Sequence, residues 1–300
     1  EKISGIRRWM RKGSGAHQGR FSPTRRIEKS GIVKPKSLPG RLEDKLPAEF
    51  LMEASAVIRR CQDADAVSIW QKYRGRIRVS DVGAGVEGQF DPGTESISID
   101  ATKPTSGEDW DAPYEIFFHE SAHNIDWLAG KRLGCGDYFS RSWIGGRFGQ
   151  VIREEVLAYQ ASMSERLKEE FEAIGSDEFI KKYSYAFMGF INPFTGAPWK
   201  PIRWDDALAN SVVGRSISLY SGDEIGAISD IIGGATKLTI DPGIGHELKY
   251  WNSEEDQLPV EAFADLYSAK VANPIEFKTF CYVFPKSAKM FEKMLKEVAK

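Results

Sequence analysis

The chain has 300 residues, 41% hydrophobic and 28% charged, with a net charge of -2; this length and balance fit a globular protein able to bury a full core. No apolar run is long enough to cross a bilayer and no secretory signal opens the sequence, so no membrane role is expected. Its three cysteines, Cys61, Cys135 and Cys281, match neither a disulfide framework nor a cysteine-rich zinc site, and a reducing compartment is the expectation.

Residues 1–45 hold thirteen Lys or Arg against four Asp or Glu, together with Gly13, Gly15, Gly19, Pro23, Pro35 and Pro39, and show little apolar periodicity. They read as a basic extended arm or linker ahead of a folded domain at 46–300. Such an arm can touch nucleic acid or an acidic partner, or can be a solvated leader; no aromatic interleaving or nucleic-acid motif favours the first. The sequence opens on Glu1 rather than Met, as a piece of a longer protein would, which leaves room for an export signal in a missing part.

From Leu46 onward Phe50, Leu51, Ala54, Val57 and Ile58 recur at helical spacing, which predicts one helix running to about Tyr73. Residues 76–80 and 96–100 alternate with period two and are predicted as a strand pair connected, hairpin fashion, through the glycines between them. The run Gly83-Ala84-Gly85-Val86-Glu87-Gly88 spells G-x-G-x-x-G. Pro92, Gly93 and a second strand follow it instead of a helix, so no helix N-terminus can receive a pyrophosphate. Further helices are predicted at 114–133, 151–174, 222–232, 258–271 and 286–298, and the Pro-, Trp- and Phe-rich run 192–206 as a long irregular loop. The class is α+β, with a small sheet in the N-terminal half packed on a mainly helical body.

The helix predicted at 114–133 carries His119-Glu120-Ser121-Ala122-His123, an H-E-x-x-H motif, in a chain with four histidines. Four residues advance a helix only about 40° past a full turn and roughly 6 Å along its axis, so both imidazoles face one side and can share one ion. Glu120 projects about 100° from His119, placed for a general base beside a metal. A catalytic zinc takes three protein ligands. No histidine follows at the spacing of H-E-x-x-H-x-x-G-x-x-H, which excludes the metzincin pattern. Downstream, Pro259-Val260-Glu261-Ala262-Phe263-Ala264-Asp265 sets two acids one turn apart, so Glu261 can ligate and Asp265 can support.

His119 to Asp126, H-E-S-A-H-N-I-D, and Glu261 to Asp265, E-A-F-A-D, together resemble the catalytic domain of anthrax lethal factor and its relatives. Those are zincin-like gluzincins with H-E-x-G-H-x-x-D on one helix and E-x-F-A-E on another, and related domains occur in phage or prophage head proteins and in toxins. The resemblance covers two short blocks and their order. It implies a Zn2+ site of His119, His123 and Glu261, with Asp265 in support and Asp126 matching the aspartate that ends the first block. Ala122 stands where glycine is usual, and Asp265 is shorter than the family's glutamate; neither removes a ligand.

Each ligating imidazole needs its far nitrogen oriented, and Asp265 and Asp126 are the candidates, with a local helix or salt-bridge role the alternative for Asp126. A donor for the developing oxyanion is sought in Gly245-His246-Glu247-Leu248-Lys249-Tyr250, which offers Tyr250 and His246, with packing as the other reading of both. The expected activity is metalloendopeptidase cleavage of a protein or peptide substrate: Glu120 takes a proton from a water acidified by zinc and passes it to the leaving amine. Residues 96–100 are expected to serve as an edge strand for an extended substrate. Alternatives are a non-catalytic phage head or interaction module that keeps the zinc, and a toxin with a specific protein target or a basic arm that reaches nucleic acid. A deformylase would take an upstream cysteine ligand, but Cys61 stands in the wrong context for that. The implied location is cytoplasmic or phage- or virion-associated.

Overall fold

The computed structural model describes residues 38–83, 88–102, 112–183, 203–217 and 222–300. A short strand β1 (Gly40–Arg41) leads into helix α1 (Leu42–Lys45), followed by α2 (Ala48–Arg60) and α3 (Ala64–Tyr73). Strands β2 (Arg78–Val82), β3 (Gln89–Asp91) and β4 (Ser96–Ile99) complete a four-stranded mixed sheet. The rest is helical: α4 (Glu115–Arg132), α5 (Phe139–Ser142), α6 (Arg147–Ile174), α7 (Ser176–Lys182), α8 (Asp206–Ile217), α9 (Gly222–Thr236), α10 (Leu248–Trp251), α11 (Leu258–Ala272), α12 (Pro274–Val283) and α13 (Pro285–Ala299). The fold is α+β with the sheet in the N-terminal half, and no helix among the described residues is long and apolar enough to cross a membrane. The loop expected at 192–206 lies outside the described residues up to 202, as does the expected arm over 1–37. The last residues assigned to that arm belong to the fold, because Gly40 pairs with Val79 and Leu42 is buried.

Three local expectations change. The helix predicted to reach Tyr73 without a break is two helices, because Asp63 accepts the Ala66 N–H at 2.8 Å and starts α3 afresh. The predicted strand pair is present but parallel, with Arg78 opposite Ser96 and Val79 opposite Ile97, so the two strands are not the arms of one hairpin; residues 84–87 of the expected glycine connection lie outside the described residues. The hairpin is β3–β4 instead. Asp91 Oδ1 accepts the Gly93 N–H at 2.8 Å and its Oδ2 accepts from Thr94 Oγ1 at 3.0 Å, closing the turn that Pro92 and Gly93 signal. The strand order β1-β2-β4-β3 places β4 inside the sheet, so residues 96–100 are not the edge strand expected of them; the edges are β1 and β3.

The site rests on α4 and α11, which pack along each other. Phe117 and Phe118 on α4 meet Trp70 of α3 with ring centroids 5.7 and 5.2 Å apart, and Phe117 also meets Phe50 of α2 at 5.2 Å. Burying each such ring contributes on the order of 1.5–3 kcal/mol and fixes the rotation of α4 about its axis. On its far side α4 approaches the chain around Asp137 so closely that a Cβ at Gly130 would lie 1.6 Å from the Asp137 carbonyl oxygen. Only glycine admits that crossing.

Candidate metal centre

With α4 locked by its aromatic neighbours, the four-residue spacing brings His119 Nε2 to 3.0 Å from His123 Nε2. The third group arrives from α11, whose first turn contains Pro259 and Glu261. Proline suits that turn, where its missing N–H costs nothing, and a carboxylate suits the positive end of the helix. Glu261 Oε2 lies 3.4 Å from His119 Nε2 and 3.3 Å from His123 Nε2. The three donor atoms thus form a triangle with edges of 3.0, 3.3 and 3.4 Å. Donors around a tetrahedral zinc at about 2.0–2.1 Å stand about 3.3–3.4 Å apart, so the triangle fits that ion.

Two further features fit a cation. Glu261 Oε2 is buried and, among the described residues, has no well-aligned hydrogen-bond donor, only the two imidazole nitrogens at 3.3 and 3.4 Å, an exceptional state for a carboxylate oxygen. The facing imidazole nitrogens would set two lone pairs against each other unless a proton or a metal stood between them. Without a metal the cluster holds protons. Burial opposes a charge on His119, yet the nearby carboxylates of Asp265 and Glu261 outweigh burial and hold its pKa well above the usual histidine value. Burial likewise works to raise Glu261, but His246, His123 and His119 hold it well below the usual carboxylate range.

Of the two acids considered for orienting a ring, Asp265 is the one that meets a ring nitrogen. It follows Glu261 by one turn, and its Oδ1 lies 3.0 Å from His119 Nδ1. A hydrogen on Nδ1 directed at Asp265 leaves Nε2 as the ligand atom. Asp126 does otherwise: its oxygens accept the Ser140 N–H at 2.8 Å and the Ser140 hydroxyl at 2.5 Å, which fastens the start of α5 to α4. Burial pushes Asp126 up to about 7 against those two bonds. His123 Nδ1 is buried and has no hydrogen-bond partner among the described residues.

Tyr250, on α10, and His246, just before that helix, both come to Glu261. The Tyr250 hydroxyl donates to Glu261 Oε1, so one carboxyl oxygen is held and the other is left facing the imidazoles. His246 stacks on Tyr250 with centroids 4.1 Å apart and planes 19° from parallel, and its Nε2 lies 3.9 Å from Glu261 Oε1. Glu120 is buried beside Gly88, where a Cβ would come within 3.0 Å of Glu120 Oε1. The residue that leads into edge strand β3 therefore passes directly over the candidate base. Cys61 faces the Lys270 carbonyl oxygen at 3.7 Å and takes no part in the cluster.

One residue of the site escaped the sequence reading. Asp230 on α9 bonds His246 through both carboxyl oxygens, and Asp230, His246 and Glu261 form a second group whose donor atoms all lie within 4.8 Å of one another. Its signal in the sequence is an acid set among Ile225, Ile228, Ile231 and Ile232 on one helix, which demands a buried partner. Compared with protein-family models, curated proteins and solved structures, the chain matches none.

Proposed function

We propose that the chain is a zinc-dependent metalloendopeptidase of the gluzincin type, zincin-like in architecture and related to the lethal factor catalytic domain. The observation that carries this reading is the donor triangle of His119, His123 and Glu261, with an acid adjacent to His119 on the same helix and a Tyr–His pair meeting the outer oxygen of Glu261. His119, His123 and Glu261 would hold Zn2+. When bound there, zinc acidifies a water and polarises a carbonyl group.

The chain's own groups supply the remaining roles. Glu120 is the general base: it accepts a proton from the water and returns it to the leaving amine nitrogen. Asp265 keeps His119 oriented through Nδ1, and Tyr250 keeps Glu261 oriented through Oε1. His246, whose Nε2 lies 3.9 Å from Glu261 Oε1, would act as the donor to a substrate carbonyl gaining negative charge. The exposed side of β3, leading in past Glu120, offers main-chain groups for an extended peptide, which makes a protein or peptide the substrate class. An acidic partner or nucleic acid for the basic segment 1–45 would follow from its charge, and a phage or prophage context and a toxin role from the resemblance.

The test is metal analysis combined with cleavage of a quenched-fluorescence peptide library. The parent is expected to carry about one zinc per chain, and His123→Ala and Glu261→Ala to lose it. Glu120→Gln is expected to keep the zinc and lose about 10²–10⁴-fold in cleavage rate. A parent purified without zinc, or a Glu120→Gln variant cleaving at the parental rate, overturns the reading. Zinc in the parent with no cleavage of any peptide favours a non-catalytic interaction module.

A further inference from the structure

Asn124 follows the second histidine of α4 and is wholly buried. Its Nδ2 donates to the Glu95 carbonyl oxygen at 3.1 Å, while its Oδ1 has no hydrogen-bond partner among the described residues. A carbonyl oxygen only accepts, so the amide nitrogen must be the atom that faces Glu95. A buried amide with its oxygen unpaired carries a cost that an apolar residue of the same size would not, so the bond to Glu95 accounts for its presence. Glu95 itself has φ +51°, a left-handed conformation that a glutamate holds only where its surroundings fix it. Two turns further along the same face of α4, the Lys131 ammonium pairs with the Glu95 carboxylate and lies 4.9 Å from the centroid of the Trp127 ring. Main chain and side chain of one residue are thus both fastened to the helix.

Glu95 ends the turn of the β3–β4 hairpin, and the other end of β3 is fixed on the same helix. Gly88 stands against Ile116 and Glu120, and between the two points the Phe90 ring packs on Trp127 of α4 and on Tyr138, with centroids 6.5 and 6.3 Å away. β3 and its turn are therefore held between Ile116 and Asn124, eight positions or about 12 Å apart along α4, and His119, Glu120 and His123 all lie in that interval. The outer side of β3 pairs with no strand among the described residues. Main-chain hydrogen bonds weaken within a few tenths of an ångström, so the level of that edge decides how many of them a peptide can make while its carbonyl reaches the imidazoles. We propose that Asn124 is a positioning residue of the peptidase site: by tying the Glu95 carbonyl oxygen to α4 beside His123, it fixes the edge of β3 at the level where an extended peptide pairs with it. The effect on peptides rests on the peptidase reading; the fastening of the hairpin to α4 does not. Plain packing of hairpin on helix is the competing account, and it makes no distinction between long and short peptides.

The test uses the zinc-loaded full chain, with amide hydrogen exchange of the β3–β4 hairpin and steady-state kinetics on a long and a short peptide. The long one is the best-cleaved peptide of the library, and the short one is the same peptide cut back to the residues that flank the scissile bond. Asn124→Leu keeps the size of the side chain and removes the donor. It is expected to keep one zinc per chain, to let the hairpin amides exchange about 10-fold faster and to raise KM for the long peptide about 10-fold. Its kcat on both peptides and its KM for the short one are expected to stay within about threefold of the parent. Lys131→Met, at the surface, loosens only the second tie; it is expected to move the hairpin exchange and the long-peptide KM in the same direction by about threefold, and it decides the matter should the leucine variant not fold. Unchanged hairpin exchange, an equal rise in KM for both peptides, or a loss carried by kcat each overturn the proposal. Should the parent cleave nothing, the peptidase reading fails by itself, and the hairpin exchange alone decides whether Asn124 fastens β3.

Discussion

Glu261 is asked to do two things with one carboxyl group. Its Oε2 faces His119 and His123, and its Oε1 accepts from Tyr250. A carboxylate with neither oxygen held can rotate and spread its charge away from an ion, so under the zinc proposal the Tyr250 hydroxyl would support the metal by fixing Oε1. Tyr250→Phe removes that hydroxyl and leaves the ring that stacks on His246. It is expected to weaken zinc about 10-fold in competition with a chromophoric chelator. Asp265→Ala takes the partner from His119 Nδ1 and is expected to weaken zinc about 10–100-fold in the same titration. Equal zinc affinity in either variant and the parent would remove that residue from the metal's support. Asp126, by contrast, spends both oxygens on Ser140, so its loss should act on the docking of α5 and leave the metal alone.

The elements that carry the candidate site were the easiest to find in the sequence, because H-E-x-x-H and E-A-F-A-D are local patterns whose spacing alone puts the acids and imidazoles on helix faces. Pairing was not local. Residues 76–80 and 96–100 show where two strands lie, but period-two alternation is the same in a parallel and an antiparallel strand; the three residues of β3 between them are too few to display a period of their own. That short strand decides which edge a peptide can reach. Gly88 leads into it against Glu120, and a Cβ there would lie 2.5 Å from Ile116 Cγ2 and 3.0 Å from Glu120 Oε1. Gly88→Ala is therefore expected to keep its zinc and lower peptide cleavage about 10-fold or more by displacing the base; parental cleavage would put β3 away from the reacting groups. The break between α2 and α3 escaped for a different reason. Apolar residues recur at helical spacing on both sides, and only the capping oxygen of Asp63 separates them. Asp63→Ala is expected to cost about 1 kcal/mol in denaturant unfolding.

What joins the helical body at a distance is a buried acid pair with no signature in the chain, since its members stand 161 positions apart in the sequence. Glu115 opens α4 and Glu276 lies in the first turn of α12; Asn273 donates from Nδ2 to Glu115 Oε2 at 3.2 Å and to Glu276 Oε2 at 3.3 Å. The Ala227 N–H of α9 closes the group by donating to Glu276 Oε1 at 2.6 Å. Burial and the neighbouring Glu115 push Glu276 up to about 10, so the two carboxyl groups share a proton at neutral pH. The sign of the consequence is fixed by which state keeps that proton. Between the ordinary value of 4.5 and about 10 the folded protein holds it and the unfolded chain does not. Stability from this pair is therefore fully present below pH 4.5 and declines as pH rises through that window. Glu276→Gln keeps an oxygen for Ala227 and a donor for Glu115 but no longer titrates. Measured by urea unfolding with zinc removed by chelator, so that metal linkage does not enter, the variant should gain on the parent by a few kcal/mol (~2–4) between pH 5 and pH 8. Two unfolding curves that shift in parallel across that range would mean that no proton is shared between Glu115 and Glu276.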